Sequence, residues 1–193
     1  MILNDQAPDS TPLIEEDLEG LIPSYITLRS ELNEAEHNNI LEAESWVFSR
    51  RRNVLDEAFL RRLHVKMFAA VWQWAGQYRT RDTNIGVPHY QIRQDLQQLI
   101  GDTQYWVDHD SFEADEIAMR FHHRLVLIHP YPNGNGRHAR LAADILLVSL
   151  NQERFTWGRR DLIDPGETRD RYIAALVAAD RHDLALLRGF VRS

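Results

Sequence analysis

His129-Pro130-Tyr131-Pro132-Asn133-Gly134-Asn135-Gly136-Arg137-His138-Ala139-Arg140 lies between two apolar runs of helical spacing. Ile117, Phe121, Leu125 and Ile128 precede it; Ala139, Ala142, Ala143, Leu146, Leu147 and Leu150 follow. The spacing predicts one helix starting near Asp115 and a second from about Gly136. A helix start presents unpaired N–H groups and the positive end of the helix dipole. Gly134 and Gly136 let the backbone turn sharply and approach a ligand closely. Arg137 and Arg140 share a face of the second helix. Basic side chains there oppose the dipole, so helix stability does not account for them. A bound polyphosphate does, since two guanidinium forks can grip it above the helix start. The competing reading pairs both arginines with Asp144 and nearby carboxylates and leaves the glycines as turn formers. The pattern is neither the Walker loop nor the dinucleotide fingerprint.

His129 stands at the entrance to this cradle. An imidazole titrating near neutrality suits a general base. It can take a proton from an incoming hydroxyl, whose oxygen then attacks phosphorus while arginines and Mg²⁺ stabilise the phosphoryl oxygens. The plainer reading is a hydrogen-bonded residue at a helix end. His122 and His123 are adjacent, point to different sides of a helix, and read as packing or support for the loop.

Composition narrows the class. The 193 residues are 44% hydrophobic and 26% charged, a globular profile. The net charge of -7 argues against a nucleic-acid-binding face, and the basic clusters Arg50-Arg51-Arg52 and Arg61-Arg62 read as solvated helix surface. The chain has no cysteine, which excludes disulfides and a thiolate nucleophile. No apolar run approaches the roughly 20 residues of a membrane span, and the first residues do not form a signal peptide. The expected location is the cytoplasm, with no contact with membrane or nucleic acid.

Outward from the motif, residues 1–193 read as one domain. Residues 1–30 form an N-terminal arm, extended over its first 22 residues. Ser30 is the expected N-cap of a helix ending near Arg52, and Asp56 that of a helix stopped by Gly76. Residues 77–92 lack a helical period. They predict a β-hairpin flap, with strands at Tyr78–Arg81 and Val87–Ile92 around a turn at 84–86. Its exposed edge can accept another chain as an added strand. Helical spacing resumes over 93–109, 167–179 and 184–191, with a loop at 151–165. The fold class is therefore all-α, mainly helical, with one short β-hairpin beside the active-site loop 129–140.

The motif resembles the Fic-domain signature, His-x-Phe-x-Asp/Glu-Gly-Asn-Gly-Arg-x-x-Arg. The wider chain is similar to the bacterial branch called mobile mystery protein B, including Trp72-x-Trp74-Ala75-Gly76 and Trp157-Gly158. The resemblance implies a protein adenylyltransferase. Such an enzyme moves AMP from ATP to a target hydroxyl and releases pyrophosphate, with Mg²⁺ as cofactor. It makes His129 the catalytic base and Tyr131 an aromatic anchor. Gly134, Asn135 and Gly136 become the anion-binding turn, with Asn135 fixing the loop or contacting phosphate. Arg137 becomes a phosphate contact, and Arg140 orients the terminal phosphate. The flap residues Thr80, Arg81, Asp82, Thr83, Asn84, Ile85, Gly86 and Val87 would clamp a target segment. Asn133 occupies the position of the acid that helps hold Mg²⁺ and offers a neutral oxygen instead. Gly136, where kinase-type relatives carry lysine, favours nucleotidyl transfer over phosphorylation. A catalytically weak nucleotide-binding regulatory module and a phosphotransferase on the same scaffold are the alternatives. The family's inhibitory helix, Ser/Thr-x-x-x-Glu-Gly/Asn, has an incomplete counterpart at Ser30 to Ala35, which makes Glu34 the candidate inhibitory residue. The branch implies a separate regulatory, antitoxin-like partner alongside a target protein. Neither the target nor the oligomeric state is readable from the sequence.

Overall fold

A computed structural model describes residues 14–159 and 165–193. Residues 1–13 of the expected arm and 160–164 of the expected loop lie outside the described residues. Helices α1 (Glu15–Glu19), α2 (Arg29–Phe48), α3 (Glu57–Phe68), α4 (Ile92–Asp108), α5 (Ala114–Ile128), α6 (Asn135–Ser149), α7 (Pro165–Ala179) and α8 (Ala185–Val191) make up the regular structure. The mainly helical reading holds.

At the centre α5 packs on α6, with α4 against α5, α2 against α3, and α7 against α8. Ala118, Ala139, Ala142 and Ala143 are fully buried, and these small side chains let the two central helices approach closely. The 129–134 loop joins α5 to α6, so the motif is fixed at the end of the best-packed pair. Asp56 caps α3 as expected, accepting from the N–H groups of Ala58 and Phe59 at 3.2 Å. Trp72 and Trp157 are buried, whereas Trp74 and Trp106 pack against the core from its edge.

Several expected boundaries shift. Ser30 is inside α2; the N-terminal turn is held by Glu31, whose carboxylate accepts from the N–H groups of Thr27 and Leu28 at 2.8 and 3.0 Å. Helix α3 ends at Phe68, and Gly76 closes a run of turns after it. The arm is not wholly extended, because α1 lies within it. Beyond α1, the Ile22 N–H donates to Val71 O and the Gln73 N–H to Gly20 O, both at 2.8 Å, an isolated antiparallel bridge.

The β-hairpin is absent among the described residues: 77–88 is irregular, and a 3-10 turn spans His89–Gln91. Side chains take the groups a ladder needs. Arg79 donates to the carbonyls of Arg81 and Val87. Thr83 donates to Ile85 O at 2.6 Å, and the Asp82 carboxylate accepts the His89 N–H at 2.8 Å. Pro88 has no N–H to give. The segment is a flap held by side chains. No helix among the described residues is long and apolar enough to cross a membrane.

Candidate active site

Helix α5 ends because His129 adopts a left-handed conformation, φ 52° and ψ 60°, and Pro130 cannot continue the helix. The His129 N–H still caps α5, donating to Leu125 O at 3.3 Å. A left-handed conformation is uncommon for a side chain of this size and persists only where the surroundings enforce it. The imidazole is buried but borders a cleft of about 890 Å³. Its Nδ1 lies 3.3 Å from Val126 O. A carbonyl only accepts, so Nδ1 carries the proton and Nε2 keeps a lone pair. Burial depresses the pKa from 6.5 to about 4, and the nearby Arg79 charge adds to this. The imidazole is thus neutral at pH 7, the state a base requires.

The loop is locked by a few side chains. Asn135 accepts from the Tyr131 N–H at 2.9 Å and donates to Tyr131 O at 2.8 Å. Both backbone groups of a buried residue are satisfied by one amide, so of the two expected roles Asn135 performs the loop-fixing one. The Tyr131 ring is buried and stacks on His64 with centroids 3.7 Å apart, the anchor the sequence suggested. His64 Nδ1 accepts the Gly76 N–H at 3.0 Å, which leaves Nε2–H to donate to Asn133 O at 3.1 Å. Burial pushes its pKa well below 6.5 and keeps that neutral tautomer. Asn133 Oδ1 accepts the Gly134 N–H at 2.7 Å. Gly134 has φ 79°, and a β-carbon there would lie 2.6 Å from the Phe68 ring, so this turn admits glycine alone. A β-carbon at Gly136 would meet only the Tyr172 hydroxyl, at 3.7 Å, which leaves room on the cleft side.

Gly136, Arg137 and Arg140 border the same cleft as His129, as do Asn133, Gly134 and Asn135. Asn84 and Ile85 reach it from the flap; the other expected flap residues do not line it. Arg140 lies over the Tyr172 ring at 5.3 Å and makes no ion pair among the described residues. Desolvation lowers its pKa, the cost of a buried charge that a bound anion would offset. The competing Asp144 pairing does not form. Asp144 is buried and accepts from the Phe155 N–H at 3.2 Å and from Trp157 Nε1 at 3.1 Å; burial raises its pKa to about 6.

Arg137 is partnered by a residue the sequence reading passed over. Glu36 of α2 accepts from Arg137 Nη1 at 2.7 Å with one oxygen and from Trp72 Nε1 at 2.7 Å with the other. The expected Glu34 is exposed and does not line the cleft, whereas Glu36 is buried and does. The signal was present: Leu32, Glu36, Asn39, Ala43 and Val47 form the buried stripe of α2, and a carboxylate on such a stripe needs a partner. His122 and His123 play supporting roles, toward the Tyr172 hydroxyl at 3.1 Å and Asp180 at 2.8 Å.

The helical body and this loop place the chain in a known architectural class, the Fic fold. A Fic domain from a cell filamentation protein of Bartonella quintana superposes with a TM-score of 0.71 at 17% identity, covering 98% of this chain and 90% of that one. The BepC protein of Bartonella tribocorum, solved with bound AMPPNP, gives a TM-score of 0.68 at 18% identity, over 93% and 97% of the two chains. At these identities the likeness establishes the fold. The sequence pattern of the Fic/DOC family matches residues 54–147, the segment that runs from just before α3 into α6 and holds the motif loop. It is also 33% identical over 126 residues to the protein adenylyltransferases fic-1 of Caenorhabditis briggsae and Caenorhabditis elegans. That segment is 61% of this chain and 22% of each relative.

Proposed function

We propose that the chain is a protein adenylyltransferase, transferring AMP from ATP to a hydroxyl side chain of a target protein. The observation that carries this reading is the shared cleft. A neutral His129 with its lone pair on Nε2 borders the same space as the α6 N-terminus, Arg137, and Arg140, which has no ion pair among the described residues. In the proposed step Nε2 takes the hydroxyl proton as the oxygen bonds to the α-phosphorus. The bond from that phosphorus to the bridging oxygen breaks, and pyrophosphate leaves. First-turn N–H groups of α6 and the two guanidiniums offset the developing charge. Gly136 leaves space for phosphate where a longer side chain would fill it.

Mg²⁺ would find little on the protein. Asn133 offers one neutral oxygen, which already accepts the Gly134 N–H. The residues present suit a metal held chiefly by the phosphates of ATP, where it would neutralise phosphate charge. Asn133 also sustains a second reading, a nucleotide-binding module without transfer. Glu36 takes over the inhibitory role considered for Glu34, because its hold on Arg137 keeps a phosphate ligand occupied. A separate regulatory protein and a target engaged at the flap complete the proposed set of partners.

The test is incubation of the Glu36→Gly protein with Mg²⁺, a bacterial lysate and ATP labelled at the α- or the γ-phosphate. Label transferred from the α-position and lost in His129→Ala supports the proposal. Label from the γ-position alone makes the protein a kinase. ATP binding with no label from either position makes it the module.

A further inference from the structure

We propose that Arg79 is a positioning residue that ties the conformation of the 81–87 flap to the orientation of His129. This rests on the reading of His129 as the base and extends it. The Arg79 side chain is 1% exposed. Its Nε donates to His129 O at 2.7 Å, and its Nη2 reaches Ile128 O at 3.4 Å. Its Nη1 donates to Arg81 O at 2.8 Å, and Nη2 also donates to Val87 O, so one guanidinium holds both arms of the flap. The Arg79 N–H adds a bond to Pro130 O at 2.9 Å. The carboxylate of Asp82, 3.7 Å away, is 65% exposed.

A buried cation surrounded by carbonyls is tolerated only where every donor is aimed. Here the planar fork of arginine reaches four carbonyls at once, which the compact ammonium of lysine cannot do. Gly86 brings the flap against the same group. A β-carbon there would lie 2.7 Å from Arg79 Nη2 and 2.7 Å from the His129 β-carbon. Any shift of the flap therefore moves the guanidinium or breaks its bond to His129 O. That carbonyl belongs to the residue whose left-handed conformation sets the direction of the imidazole. Seating a target segment on the flap and aiming the base are thereby mechanically linked.

Two variants test the link. Arg79→Met keeps the stem and removes every side-chain donor; Gly86→Ala keeps the guanidinium and presses on it from the flap. The readouts on the isolated protein are amide hydrogen exchange over 81–87 and the imidazole NMR signal of His129, with that of His138 on α6 as internal control. In Arg79→Met, flap exchange should rise about tenfold or more while the His129 signal moves and the His138 signal stays. In Gly86→Ala, the His129 signal should move although Arg79 is intact. A flap that loosens with the His129 signal at its wild-type position, or an unmoved signal in Gly86→Ala, overturns the proposal. If Arg79→Met does not fold, Arg79→Lys takes its place with the same outcomes, because the added β-carbon of Gly86→Ala also touches His129 directly. These readouts need neither ATP nor target, so a wild-type protein without transfer activity would count against the proposed reaction and leave this result standing. Where transfer is seen, kcat should fall about a hundredfold in Arg79→Met with KM for ATP changed less than about threefold. Equal losses in binding and turnover would contradict a positioning role.

Discussion

The flap at 77–88 and the motif loop at 129–134 are both irregular, both border the cleft and both are held by side-chain-to-backbone hydrogen bonds. They differ in the reach of those bonds. The motif loop has a short-range lock, in which Asn135 closes on Tyr131 four residues back and Asn133 on its neighbour Gly134, and His64 and Arg79 hold the carbonyls of Asn133, His129 and Pro130 around it. The flap is closed by Arg79, Thr83 and Asp82 of its own segment, and Arg79 also spans about fifty residues of chain to the carbonyls of Ile128 and His129. A locally determined loop keeps its shape whatever the cleft contains. A segment whose shape depends on a long-range bond can shift with what it touches, and this suits the target-receiving role proposed for the flap.

Breaking the local lock should have the largest effect on folding. Asn135→Ala leaves the buried N–H and C=O of Tyr131 unpaired, at a cost of about 3 kcal/mol in denaturant unfolding. A loss below about 0.5 kcal/mol would show that the loop holds itself without the amide. Glu36→Gly should next sharpen the contrast on the phosphate side. With Arg137 released, ATP should bind about tenfold more tightly by calorimetry; unchanged affinity would remove Glu36 as a restraint.

Acid should strain the motif loop more than the flap. Burial depresses the pKa of His122 to about 3, of His129 and His138 to about 4, and of His64 well below 6.5. The unfolded chain then binds more protons than the folded one below pH 6.5, so this stability is complete above 6.5 and lost as the pH falls toward 4. Asp144, raised to about 6, acts in the opposite sense between its usual 3.8 and 6, as one group against four. Tm should therefore drop between pH 7 and pH 4.5, and the His129 NMR signal should stay flat through 6.5. A midpoint near 6.5 would mean that the imidazole is solvated. The smallest effect belongs to the flap rim. Asp82→Ala removes an exposed carboxylate and its bonds to His89, and should leave the denaturant midpoint at its wild-type value; a clear drop would place the flap's support at Asp82 as well as at Arg79.

The same distinction governs what was legible in the sequence. The helices were readable because their apolar spacing is local, and Asp56 because a cap acts within three residues. The cradle was readable because Gly134, Asn135, Gly136, Arg137 and Arg140 are contiguous. The hairpin was misread because alternation and a glycine turn predict strands only where the backbone groups remain available, and here Arg79, Asp82 and Thr83 take them. The linear pattern points to Glu34, whereas the buried stripe of α2 decides which carboxylate faces inward, and that is Glu36. His64 gave no local signal, since its roles at Gly76 and Asn133 exist only once α3 and the motif loop have come together.

The most direct measurement of the central claim is a crystal structure of the Glu36→Gly protein with a non-hydrolysable ATP analogue. The account predicts phosphates seated on the 134–140 turn, Arg140 paired with them, and the α-phosphorus facing His129 Nε2. Phosphates lying elsewhere in the cleft, or a His129 imidazole turned into the protein interior, would contradict it.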